Sequence, residues 1–224
     1  MKKLFSVSVF AAIVLVLGMA GVAKATLVNG GFETGDFTGW TVSIPPGGSA
    51  QVVTSHTGDK GKDYTSVKGN YFALLKTDGP GSYTTISQVI HLEAGWWVEG
   101  YAAFDARDYK PFNDKAYVKI YDSSGTSIAT SWYSDVNQVG DYGDGPWTYW
   151  SWTATASGDY TLKFGVANAK DSVLDSYALF DATVVATTAA PVPEPATMLL
   201  LGSGLIGLAG IGCKASGCVK SQKI

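Results

Sequence analysis

Residues 26–190 contain no cysteine; the two cysteines of this 224-residue chain, Cys213 and Cys218, stand close to its C-terminus. That excludes an internal disulfide and thiol catalysis for the stretch. Histidine is almost as scarce. His56 and His91 are the only two, and neither G-x-S-x-G nor H-E-x-x-H occurs, so a hydrolytic triad and a zinc-protease site find no support. Basic charge is thin as well: residues 26–190 carry ten Lys and Arg against eighteen Asp and Glu, a net charge of −8. Binding to a nucleic-acid backbone needs cationic clusters, so nucleic acid is not an expected partner. Also missing are an amphipathic helix of useful length and any repeat of 20–50 residues.

Long apolar runs are confined to the two ends. Lys2 and Lys3 precede the apolar stretch from Leu4 to Ala20, and Ala23-Lys24-Ala25 supplies the small-x-small pattern of a signal-peptidase site. Residues 1–25 therefore read as a signal peptide. At the other end, residues 196–212 hold no charge and are rich in glycine. As a helix they extend ~26 Å at ~1.5 Å per residue, the short end of what crosses a ~30 Å bilayer core. A transmembrane helix is expected over 196–213, with a cytosolic tail at 214–224 because Lys214, Lys220 and Lys223 follow it without an acid. Residues 188–195 are small and proline-rich, as an extended linker is.

Residues 26–187 read as one domain. Short segments rich in Val, Ile, Thr, Tyr, Phe and Trp recur between clusters of Gly, Asp, Ser and Asn. The pattern predicts strands over 27–33, 40–44, 51–54, 71–76, 84–92, 96–104, 116–121, 128–133, 148–154, 160–167 and 177–185. Alternation gives them two faces: Tyr160, Leu162, Phe164 and Val166 against Thr161, Lys163 and Gly165. The predicted fold class is all-β, an antiparallel β-sandwich or jelly roll.

Two groups of residues bear on binding. Asp105, Asp108, Asn113 and Asp114 lie within ten residues, a density that suits Ca²⁺, sugar hydroxyls or a solvated turn, although EF-hand spacing is absent. The second group is aromatic. In "PWTYWSWTAT", Trp150 and Trp152 share one face of a strand and Trp147 and Tyr149 the other, so one set is expected to lie outside the core. Tyr142, Trp147 and Tyr149 are the candidates for stacking on the C–H faces of sugar rings. His56, in a polar loop, and His91, in a strand, are read as structural.

Val192-Pro193-Glu194-Pro195, the apolar run with "LLGSGLIGLAG" and the lysines behind it resemble a PEP-CTERM sorting signal. The resemblance implies export, membrane anchoring and exosortase as the partner that processes the tail. "LVNGGFETGDFTGWTVS" and "SGDYTLKFGVANAKDSVLDSYALFDATVV" resemble the galactose-binding-like jelly rolls of carbohydrate-binding modules. That likeness implies that the first and last strands lie together and that a structural Ca²⁺ is held by Glu33 and Asp181, without the paired acid the family often has, since Phe180 and Ala182 flank Asp181. The expected protein is an exported, non-enzymatic one that contacts extracellular polysaccharide or matrix. A secreted glycan-active enzyme with paired carboxylates and a ligand-free structural surface protein are the alternatives.

Overall fold

In the computed structural model, residues 27–77 and 79–187 are described. The signal peptide, the linker with Val192 to Pro195, the membrane helix and the tail lie outside the described residues. Among the described residues no helix is long and apolar enough to cross a membrane.

Twelve strands and one helical turn follow in chain order: β1 (Thr41–Ser43), β2 (Ser49–Val53), β3 (Ser55–Thr57), β4 (Asp63–Thr65), β5 (Phe72–Lys76), β6 (Thr84–Leu92), β7 (Trp97–Asp105), β8 (Lys115–Tyr121), β9 (Ser127–Asp135), α1 (Val136–Val139), β10 (Thr148–Thr153), β11 (Gly158–Ala167) and β12 (Tyr177–Ala186). They form two antiparallel five-stranded sheets, β1-β6-β11-β8-β9 and β10-β7-β12-β5-β2, with β3-β4 as a separate hairpin. The chain alternates between the sheets from β5 to β8 and again from β9 to β12, which makes the fold a sandwich of jelly-roll type.

Period-two patterning builds this arrangement. In β11, Tyr160, Leu162, Phe164 and Val166 are buried as the alternation requires, and β6 buries Ile86, Ile90 and Leu92 in the same way. Phe164 from one sheet stacks on Phe180 from the other at 4.5 Å, and Trp40 and Trp150 close around Phe164 at 5.2 and 5.8 Å. Each such ring contributes roughly 1.5–3 kcal/mol on burial. Trp150 is core, and Trp152 packs against the core cluster.

Ten of the eleven expected strands form. Residues 27–33 are the exception: they are a turn, with Asn29 and Phe32 at φ 51° and 60°. The turn still drives the Phe32 ring fully into the core. It lies against β12 as the resemblance implies, with Thr183 N–H donating to the Gly30 carbonyl at 3.0 Å.

The hairpin β3-β4 lies outside the expected strands. It covers a second, smaller apolar cluster of Tyr64, Phe72, Leu74, Ala103 and Leu179 on the outer face of the β10-β7-β12-β5-β2 sheet. Polar bonds fasten it there. Tyr64 Oη donates to the Gly145 carbonyl at 2.7 Å, and Asp144 Oδ2 accepts from the N–H groups of Lys60 and Lys62 at 3.0 Å.

Candidate functional site

The four polar residues that stand together in the sequence between 105 and 114 separate in the fold, because each meets a different strand end. Asp105, at the end of β7, is fully buried and accepts from His56 Nε2 at 2.8 Å, Arg107 Nε at 2.9 Å and Asp59 N–H at 3.2 Å. Burial alone would raise its carboxyl, but the bonds from His56 and Arg107 hold it below the ordinary carboxylate value. Its oxygens are thus committed to pinning the β3-β4 hairpin. Asn113 is committed too: its amide donates to Asp135 Oδ2 and its oxygen accepts from Asn137 N–H, both at 2.9 Å, while Asp135 caps α1. These bonds give Asp105 and Asn113 structural roles and take them out of a shared metal centre with Asp108 and Asp114.

Asp108 and Asp114 do come together. Both are buried at 1 % exposure, and both carboxyls are pushed up, first by burial and then by neighbouring acids that include Asp171. For Asp114 the value is about 6.

Glu33 and Asp181 meet on one loop. Glu33 accepts from Asn70 N–H and Tyr71 N–H at 3.0 Å, and Asp181 Oδ2 accepts from Val67 N–H at 2.5 Å and Lys68 N–H at 3.2 Å. The Asp181 carboxyl is raised, chiefly by burial, with Glu33 adding to it. Gly69, at φ +89°, lets the loop turn over Glu33, since a side-chain carbon there would run into the Glu33 carboxylate. Both acids work as latches for residues 67–71. Among the described residues no group of three His, Cys, Asp or Glu side chains stands ready to hold a metal.

The aromatic candidates divide in the same manner. Trp147 lies in the second apolar cluster, edge-on to Tyr64 and Phe72, and its indole N–H donates to the Thr65 carbonyl at 3.1 Å. Tyr142 stacks on Tyr109 at 5.6 Å, both rings being exposed. Tyr149 is 51 % exposed on the outer face of β10, directly opposite Tyr101 in the register and edge-on to it at 5.6 Å. Two positions along β7, Glu99 Oε2 accepts from both Tyr149 Oη at 2.6 Å and Trp97 Nε1 at 2.7 Å. This bond raises the Tyr149 phenol, because the carboxylate favours its protonated form. Trp97, Glu99, Tyr101 and Tyr149 therefore make one ordered strip on an open sheet face, with Ser151 and Thr153 alongside on β10. The sequence reading named only Tyr149 of these. The signal for the rest was alternation, since Trp97, Glu99 and Tyr101 share one face of β7.

On the other outer face Tyr133 is 40 % exposed opposite Tyr117 in the register, whereas Tyr117 and Tyr121 lie under lysines. Tyr117 is 7 % exposed beneath Lys119, whose Nζ stands 4.6 Å from the ring centre, and Lys163 covers Tyr121 at 5.1 Å. The two histidines are occupied as well. His56 binds Asp105, and His91 binds Asp159 at 2.7 Å.

Residues 191–211 match the PEP-CTERM protein-sorting motif. That motif marks proteins that are exported and anchored in the membrane before exosortase cleavage, then surface-associated. No curated protein matches the chain. Among solved structures, similarity extends to the enzymatically active domain of bacteriophage CBA120 tailspike protein 4, at 12 % identity and TM-score 0.45 over 73 % of this chain and 21 % of that one. A β-sandwich carbohydrate-binding module described for promiscuous specificity matches at 12 % identity and TM-score 0.42 over 73 % and 63 %. The K3 cleaved adhesin domain of Lys-gingipain from Porphyromonas gingivalis matches at 13 % identity and TM-score 0.47 over 73 % and 99 %. The chain spans less than two thirds of the first two of these structures.

Proposed function

We propose that the sandwich is a non-catalytic surface module that contacts neutral glycan or polysaccharide matrix through the Trp97-Glu99-Tyr101-Tyr149 strip. The observation that carries this reading is the pair of hydrogen bonds that Glu99 accepts from Tyr149 and Trp97, which fixes two rings beside a third before any ligand arrives. Rings held in advance lose less freedom on binding. Their flat faces suit the C–H faces of sugars, while Ser151 and Thr153 offer hydroxyls. The net charge of −8 over residues 26–190 favours neutral over acidic polymers.

Exosortase cleavage near Val192-Pro193-Glu194-Pro195 belongs to the same reading and would release the module from its membrane helix. The jelly-roll resemblance points to Glu33 and Asp181 for a structural Ca²⁺, but their oxygens already accept from the backbone of residues 67–71, so the reading does not depend on calcium there. The test is a glycan array with and without EDTA, followed by Tyr149→Ala and Trp97→Ala. Each substitution is expected to weaken binding at least tenfold while the melting temperature stays near that of the wild type. No binding to any glycan would favour a ligand-free structural protein, and sugar turnover would favour a paired-carboxylate enzyme.

A further inference from the structure

One end of the sandwich is closed by polar side chains. The register of β8 and β11 pairs Val166 with Ala116 and Ala167 with Lys115. Asp114 immediately precedes β8 and Asn168 immediately follows β11, so both stand at this end of the ladder, and both are buried. Ser176, just before β12 on the opposing sheet, donates to Asp114 Oδ2 at 2.8 Å, and Ala169 N–H donates to Asp114 Oδ1 at 3.0 Å. Asp108 arrives from the loop after β7, held by Tyr142 N–H on its carbonyl at 2.8 Å and by Tyr109 N–H on its own Oδ1 at 2.7 Å.

The bonding around these residues is incomplete. Asp108 Oδ2 and both polar atoms of the Asn168 amide are buried without a hydrogen-bond partner, and both residues are 1 % exposed. A buried polar atom left unpaired has lost its water without gaining a partner, at a cost that is greater when the group is charged. Among the described residues no Lys, Arg or His forms an ion pair with Asp108, Asp114 or Asp171. Negative charge and unshared oxygens thus gather at one buried point without a protein cation to offset them.

We propose that Asp108, Asp114 and Asn168 hold a Ca²⁺ ion that fastens the 106–114 loop to the ends of β11 and β12. Calcium fits because it takes six to eight oxygens from carboxylates, amide and main-chain carbonyls and water, and tolerates irregular geometry. Magnesium demands a near-octahedral shell and keeps its waters, which suits an end-of-sandwich pocket poorly. The proposal stands apart from the Glu33-Asp181 pair, whose oxygens already serve the 67–71 loop, and does not require a glycan on the β10-β7 face.

The test uses the full chain purified in detergent, stripped with EDTA and titrated with calcium alone in a calorimeter and a thermal melt. Calcium at about a hundredfold over Kd is expected to raise the wild-type melting temperature by about 5–10 °C. Asp108→Asn and Asn168→Ala should each lose that rise and weaken calcium binding at least tenfold, while Glu33→Gln keeps the rise. Asn168→Ala carries the test if Asp108→Asn fails to fold, because it removes an amide with no other partner. A wild type indifferent to calcium would show that buried water alone satisfies these atoms and would overturn the proposal. A rise that survives Asn168→Ala and vanishes in Glu33→Gln would overturn it in favour of the other carboxylate pair.

Discussion

Replacing Asp105 by alanine removes the acceptor that joins three parts of the molecule: His56 on β3, Asp59 in the hairpin turn and Arg107 beyond β7. Breaking a buried ion pair by deleting one partner costs about 3–5 kcal/mol. The Arg107 side chain is 33 % exposed and recovers some hydration, so the low end, about 3 kcal/mol, is expected. For a domain of this size that lowers the melting temperature by about 6–12 °C. The loss is local in origin, so amide exchange should quicken first in residues 55–65, whose hairpin rests on this carboxylate. The effect also has a signed pH dependence. The folded carboxyl lies below the ordinary value of 3.8, so the stability it contributes is present above that value and is lost as pH falls through the folded one. The gap between wild type and Asp105→Asn should therefore be widest near neutrality and narrow in acid below 3.8. A loss under about 1 kcal/mol, or protection of residues 55–65 unchanged from wild type, would refute the pinning argument.

Two further substitutions probe other joints. Gly30→Ala drives a side-chain carbon into the Thr183 carbonyl, so the N-terminal turn must lift off β12; a loss of about 2–4 kcal/mol in a denaturant melt is expected, against less than about 1 for Gly158→Ala, where nothing stands nearby. Glu99→Ala removes the acceptor that raises the Tyr149 phenol, and NMR of labelled tyrosine should show Tyr149 titrating at lower pH than in the wild type. An unchanged Tyr149 titration would mean that the Glu99 bond does not order the strip.

The strands that alternation identified are those whose side chains divide cleanly between core and surface. β6 and β11 are the clearest, with inward rows of Ile86, Ile90 and Leu92 and of Leu162, Phe164 and Val166. Residues 27–33 have the same look, with Leu27 and Phe32 spaced among small residues. Their glycines and Asn29 instead allow a turn whose left-handed residues bury Phe32 without sheet pairing. β3 and β4 left little trace for the opposite reason. Ser55–Thr57 and Asp63–Thr65 are three residues each and mostly polar. What makes them a hairpin lies 40 residues or more away, in Asp105, Asp144 and Gly145. Patterning reports burial within a segment and is blind to a segment held by another's carboxylates.

The same distinction explains why the acidic cluster was legible as a composition but not as a site. Ten residues that run from the last position of β7 to the one before β8 send their side chains to different places. Asp105 falls on the outward row of β7 with Tyr101 and Ala103, and so meets the hairpin. Asp114 falls on the inward row that continues through Ala116 and Val118, and so meets Ser176 and the Ala169 N–H. Parity alone separates the two, and parity can be counted in a sequence once the strand limits are known. What cannot be counted is the neighbour: Asn168 lies 54 positions from Asp114, and the pairing of β8 with β11 brings both to the same end of the sheet. The aromatic strip obeys the same arithmetic. Tyr149 was found from its own strand, whereas Tyr101 and Trp97 join it because β10 pairs with β7 in the register that sets Tyr149 beside Tyr101 and Thr153 beside Trp97. In this sandwich both candidate sites are cross-strand objects, so a neighbour along the chain is weaker evidence for a shared site than a neighbour across the ladder.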